Sequence, residues 1–399
     1  MKSCEIVDIR AYVLEGKGEG GEYHDRPAGH WLVDTLIANP MSKYPEYKQS
    51  RTSWGIGVLG SVVVEIETAG GLVGVATGLG GAAACFLVER HFRRFLLGAD
   101  PRDIARIWDQ MFRASLPYGR KGLALAALSV VDLALWDLLG LLRDEPVYKL
   151  IGGATREAIA VYQTGSRADA AQALGFFGAK VPLPHGPADG PAGLRANVEF
   201  LRGHREAVGP DYPLMVDCYM ALDVPYAIDL AKAVEPLGLY WIEEVLAPDD
   251  NDGYRRLKQA MPAVRWTTGE HEYSRYGFRQ LIADRCVDII QPDVMWLGGL
   301  TELLRVSAMA AAYDIAVVPH GSGPYSYHFV ISQPHSPFVE YINTSPGSDE
   351  IWPVFGNLFI DEPLPRDGLV RPADAPGWGL RLNREAVRLQ RPYEGDGAP

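Results

Sequence analysis

Between Ile159 and Ile342 the chain repeats one unit: a short apolar run, a polar residue at its end, then a helical pattern. The runs read IAVYQTG, AKVPLPH, LMVDCY, LYWIEE, RWTTGEH, VDIIQPD, AVVPHG and FVEYI, eight candidate strands. Runs this short, rich in β-branched and aromatic residues, suit strands buried on both faces. The intervals between them carry helix signals. After Asp223, Pro225 fits a first turn, Ala227, Leu230, Ala231 and Val234 recur at helical spacing, and Gly238 follows as a stop. Strands alternating with helices in this way predict an α/β fold with a parallel barrel. An open doubly wound sheet with a dinucleotide site is disfavoured, because no G-x-G-x-x-G follows the first strand.

The flanking regions read differently. Residues 1–143 predict an α+β domain: a strand over Ile6–Leu14, a hairpin in SVVVEIETAGGLVG (Ser61–Gly74), and helices over Cys85–Leu97 and Ile104–Ala114. A long polar-aromatic loop, Gly18–Trp54, is expected to be functional. Residues 144–363 are assigned to the barrel. The 364–399 tail, rich in Pro, Gly and Arg, is expected to pack back on the first domain. Leu123–Leu142 reaches membrane-span length, but Asp132 and Asp137 lie inside it. Each would cost about 2.5 to 3.5 kcal/mol at a bilayer centre, so a buried helix is expected. A formal charge of −12 disfavours nucleic acid and anionic membrane as partners. Cys4, Cys85, Cys218 and Cys286 are scattered, which fits reduced thiols in a cytoplasmic protein, and MKSCEIVDIRAYVLEG lacks the apolar core of a signal peptide.

In a parallel barrel the chemistry gathers at the C-terminal ends of the strands. The residues there are Lys180, Asp217, Glu243, Glu270, Asp293, His320 and Glu340; the steps from Asp217 to His320 are 26, 27, 23 and 27 residues, one strand and helix each. Asp217, Glu243 and Glu270 at successive strand ends would repel one another without a counter-charge, and an all-oxygen set suits Mg²⁺. Asp293 and His320 end the next two strands, close enough for the carboxylate to fix the imidazole as a base. In LYWIEE, Trp241 and Glu243 share one strand face and Glu244 takes the other; the spacing selects Glu243 as the ligand. His271 is expected to point away from Glu270, and His185 and His328 are expected in loops.

HWLVD, NPMSKYPEYKQSR, VDLALWDLLG, KVPLPHGP, LMVDCYM, WIEE, TTGEHE, IIQPDV, VVPHGS and FVEY, in this order, resemble the enolase superfamily in its mandelate-racemase-like branch over nearly the whole chain. The resemblance implies a (β/α)₇β modified TIM barrel under an α+β cap, and Mg²⁺ held by Asp217, Glu243 and Glu270. It implies a His320–Asp293 dyad, with Glu340 hydrogen-bonded to a substrate carboxylate. His30 and Arg51 in the cap, and His185 and Lys180 in the barrel, would bind an acid sugar. Lys180-Val181-Pro182 lacks the second lysine of a K-x-K pair, so Lys180 is expected to bind or tune charge. Tyr219 and Gly323-Pro324 depart from the branch pattern. The implied activity is dehydration of an acid sugar by a homo-oligomer. A racemase or epimerase on the same scaffold, and a non-catalytic homologue, stay open at this point.

Overall fold

The computed structural model describes residues 4–15, 29–53 and 59–394. Strands β1 (Ile6–Glu15), β2 (Ser61–Thr68) and β3 (Val73–Leu79) form an antiparallel sheet, and Arg388–Gln390 adds to the free side of β1. Helix Leu123–Arg143 lies against this sheet. A Cβ at Gly74 would sit 2.4 Å from the Ala134 carbonyl oxygen, so strand and helix approach this closely only with glycine there.

That helix is apolar and long enough to cross a membrane, but most of it is buried inside the protein. Its two acids explain where it belongs. Asp137 accepts the backbone N–H groups of Val75 (2.8 Å) and Trp378 (2.9 Å), and Asp132 accepts that of Thr301 (2.9 Å). Each carboxylate supplies an acceptor to a neighbouring element, so the helix ties the cap sheet, the C-terminal segment and a barrel helix together.

The barrel strands are β4 (Ile159–Thr164), β5 (Ala179–Pro182), β6 (Leu214–Asp217), β7 (Ile242–Glu243), β8 (Trp266–Thr268), β9 (Ile289–Ile290), β10 (Ala316–Val317) and β11 (Phe338–Ile342). Neighbours pair in parallel from β4 through β10, and β11 pairs in parallel with β4. A helix lies between each successive pair, from Ala168–Ala173 to Pro324–Ser332, which gives the (β/α)₇β pattern. At the remaining seam the Gly321 N–H after β10 donates to Glu340 of β11 at 2.7 Å. The barrel is filled below its mouth by Tyr162, Met215, Trp241, Ile289, Val318 and Phe338. Those side chains form a packed floor, and the polar strand ends stand on it.

Some expectations shift. The helix predicted from Cys85 begins at Gly81 and passes through a π-helical turn at Val88–Phe92. The tail meets the barrel as well as the cap, since Leu369–Val370 pairs antiparallel with β4 before the chain returns to β1. His328 is not in a loop. The Gly-rich segment ends at Gly323, and Pro324, with its fixed φ, starts a helix that buries His328. All four cysteines are free thiols.

Candidate active site

The strand ends bring Asp217, Glu243 and Glu270 together, with one carboxylate oxygen of each within 4.8 Å of the others. Lys180 of β5 reaches into the same cluster. Its Nζ contacts Glu243 Oε1, lies 2.9 Å from Glu340 Oε1 and 3.4 Å from Asp217 Oδ2. Burial alone would discharge this amine, but the three carboxylates outweigh it and hold the ammonium well above its ordinary pKa.

Burial pushes Glu243 up to about 8, against the opposing pull of Lys180 and with the help of Asp217, Glu340 and Glu270. Burial likewise raises Glu270 to about 8. These acids are therefore crowded in the sense that calls for more positive charge than the chain itself supplies. Glu270 Oε2 is buried without a hydrogen-bond partner. Three hard oxygen donors, one of them unsatisfied, fit a small divalent cation such as Mg²⁺.

Glu243 is further held through its second oxygen, which accepts from Trp241 Nε1 (2.8 Å) and Gln291 Nε2 (2.7 Å). Neither partner was evident from charge or motif. The signal available was strand alternation, since Trp241 shares the Glu243 face and Gln291 stands two residues before Asp293 in IIQPD.

The dyad is present. His320 Nδ1 lies 2.7 Å from Asp293 Oδ2, and Asp293 Oδ1 accepts from Ser322 Oγ (2.9 Å) and the Met295 N–H (2.7 Å). The carboxylate is thus fixed on both oxygens, and it leaves His320 Nε2 facing the cluster, 3.4 Å from Glu270 Oε2. Burial would lower His320, but Glu270, Glu340 and Asp293 raise it well above its ordinary value. Glu340 accepts from Thr164 Oγ1 and from the Gly321 N–H, and pairs with Lys180; against the cost of burial, Lys180, His320 and Thr164 hold it at about 2. In this arrangement Glu340 is an ionised anchor for Lys180, and it meets a substrate carboxylate as a donor only when protonated.

His271 does not point away. The strand ends at Thr268, and Gly269 at φ 136° breaks the alternation that placed His271 on the far side. Its Nδ1 lies 2.8 Å from Glu244 Oε1 and 3.4 Å from Glu270 Oε1. Burial opposes the charge on His271, but Glu244 raises it to about 9. Glu244 is therefore the buried hydrogen-bond partner of His271 beside the site. Tyr219 packs edge-on against His271, and Trp296 lies between the rings of His271 and His320.

Of the expected sugar contacts, Lys180 lies among the carboxylates described above, and His30 lies in the cap. His30 caps the short helix Trp31–Asp34: its Nδ1 accepts from the Leu32 N–H, and its Nε2 donates to the Thr344 carbonyl at 2.6 Å, beyond β11. His30 thus fastens the cap segment to the barrel. His185 lies in a loop after β5, 3.5 Å from Asp189. The side chain of Arg51 lies outside the described residues.

Two family models match the chain: Enolase C-terminal domain-like over residues 164–386, and Mandelate racemase / muconate lactonizing enzyme, N-terminal domain over residues 34–152. An L-rhamnonate dehydratase of Saccharopolyspora erythraea is 52% identical over 98% of this chain and 100% of its own. The crystal structure of rhamnonate dehydratase from Gibberella zeae complexed with Mg is 60% identical, covers 96% of each chain and superposes with a TM-score of 0.94. A racemase from Streptomyces coelicolor with bound magnesium is more distant, at 27% identity and a TM-score of 0.76 over 96% of this chain and 98% of its own.

Proposed function

The chain belongs to the mandelate racemase / muconate lactonizing enzyme family of the enolase superfamily, and from that premise we infer a Mg²⁺-dependent L-rhamnonate dehydratase. The observation that carries the reading is the meeting of three carboxylates, a fixed ammonium and an oriented histidine at one barrel mouth. Asp217, Glu243 and Glu270 would hold Mg²⁺, which when bound supplies positive charge to the substrate carboxylate and to the enediolate that forms next to it.

A cation held by Glu270 would offset the carboxylate that most raises His320, leaving Nε2 free to remove the C2 proton, with Asp293 stabilising the imidazolium that results. The electron pair left on C2 flows into the carboxylate, and Lys180, in contact with Glu243, Glu340 and Asp217, adds positive charge to the site. The same imidazolium returns its proton to the 3-hydroxyl on the same face, the C3–O bond breaks, and water leaves. The enol tautomerises to 2-keto-3-deoxy-L-rhamnonate. A racemase would need a second proton carrier on the opposite face, and Lys180-Val181-Pro182 lacks the second lysine that would supply one.

His30, Arg51 and His185 are assigned to the sugar from the cap and rim, with the cap of residues 1–143 closing over the barrel of residues 144–363. The reading includes a cytoplasmic, symmetric homo-oligomer. The test is His320→Asn assayed with L-rhamnonate. Loss of the general base is expected to lower kcat about 10²- to 10⁴-fold and to abolish C2 deuterium exchange. Dehydration at a near wild-type rate would overturn the assignment.

A further inference from the structure

We propose that Trp241 and Gln291 are positioning residues for the cation: they pin Glu243 Oε2 and so fix the orientation of the carboxylate that the cation meets. The inference rests on the reading of Glu243 as a metal ligand.

Two observations carry it. The first is the donor geometry. Trp241 immediately precedes β7 and Gln291 immediately follows β9, and the two converge on one oxygen at 2.8 and 2.7 Å. Two donors occupy both lone pairs of that oxygen, which fixes rotation of the carboxylate about its last bond. Both donors are neutral. They orient the group without cancelling the charge that attracts a cation, whereas Lys180 contacts the other oxygen, Oε1. The indole is itself immobilised: it stacks on Phe338 at 6.0 Å and meets Tyr162 edge-on at 5.2 Å, in the packed floor of the barrel.

The second observation is that Gln291 is a poor residue for stability alone. It is buried, and its Oε1 has no hydrogen-bond partner. A leucine of similar size would remove that unsatisfied oxygen and still fill the space. What the leucine could not do is donate to Glu243.

The experiment uses full-length enzyme stripped of metal and titrated with Mg²⁺ by calorimetry, with Mn²⁺ EPR as a second measure of the bound geometry. Trp241→Phe and Gln291→Leu are each expected to raise the Mg²⁺ Kd about 10- to 100-fold, the usual effect of removing an outer partner of a ligand. The metal-free Tm of Gln291→Leu, which loses the bond to Glu243 together with the unpartnered oxygen, is read on the same preparation. A merely structural role would lower that Tm and leave the Kd of the folded fraction alone. Either residue whose variant binds Mg²⁺ within about twofold of wild type loses its assigned role, and Gln291→Met gives the same readout should the leucine variant not fold. Glu243→Gln separates the two layers of the argument. Wild-type Mg²⁺ affinity in Glu243→Gln removes the ligand reading itself; lost affinity there, with Trp241→Phe and Gln291→Leu intact, removes only the positioning.

Discussion

Two groups of buried carboxylates in the molecule serve opposite ends. In the long helix Leu123–Arg143, Asp132 and Asp137 are pushed by burial to about 7. At the barrel mouth, Glu243 and Glu270 are pushed by burial to about 8. By degree of perturbation the pairs are alike. What separates them is the company they keep. Asp137 meets two backbone N–H groups from different elements, whereas Glu243 and Glu270 meet each other, Asp217, Lys180 and His320. A perturbed acid marks a functional site only where several converge with mobile charge between them; one whose oxygens are used by backbone is a fastener.

The sharpest way to break this contrast is to neutralise one acid of each kind. Glu243→Gln is expected to lower dehydration on the order of 10³-fold or more, about 4 kcal/mol of transition-state stabilisation, with little loss of stability. Steady-state kinetics and urea unfolding on the same preparation decide it. Turnover within about tenfold of wild type would dissolve the distinction. Asp137→Ala should do the reverse. It strands the Val75 and Trp378 N–H groups and costs about 3 kcal/mol of stability, while kcat per folded molecule holds.

The contrast is sharpened by pH. Asp137 has a folded value of about 7 against an ordinary 3.8, so its contribution is complete below the ordinary value and is lost as pH rises through about 7. His328 runs the other way. Its Nδ1 accepts from the Tyr148 N–H, its Nε2 donates to the Trp378 carbonyl, and burial lowers it to about 3, so its contribution is lost as pH falls below 6.5. Asp137→Asn cannot titrate. The stability gap between it and wild type should therefore move in the variant's favour by roughly 2 to 3 kcal/mol between about pH 5 and about pH 7.5. A gap flat with pH, measured by urea unfolding, would mean that burial does not hold Asp137 protonated.

Much of this was legible from spacing. The ring of Asp217, Glu243, Glu270, Asp293 and His320 follows from steps of one strand and one helix, because a barrel converts that period into a common mouth. The partners were less legible, for specific reasons. Gln291 carries no charge and lies inside an apolar run, so nothing in its residue type announced a tie to Glu243. His271 was misplaced because alternation was extended past Thr268, where Gly269 adopts a conformation that ends it. His328 was read as loop because the glycines before it suggested one, although Pro324 is also what a helix start requires. The tie of His30 to Thr344 depends on how cap and barrel meet, which no local pattern encodes.

The smallest expected effect comes from a third kind of carboxylate. Asp223 follows the Asp217 strand by a short loop and caps helix Val224–Val234, its Oδ1 accepting from the Tyr226 N–H at 2.9 Å. It makes the same bond to backbone as Asp137 does, but it is exposed, so water replaces the lost acceptor when the side chain is removed. Asp223→Ala should accordingly cost about 1 kcal/mol, the ordinary value of an N-cap, and leave kcat unchanged. Urea unfolding and steady-state kinetics check both halves. A loss as large as that of Asp137→Ala would show that the backbone bond, and not its burial, sets the cost; a fall in kcat would show that the helix behind β6 transmits its end to Asp217.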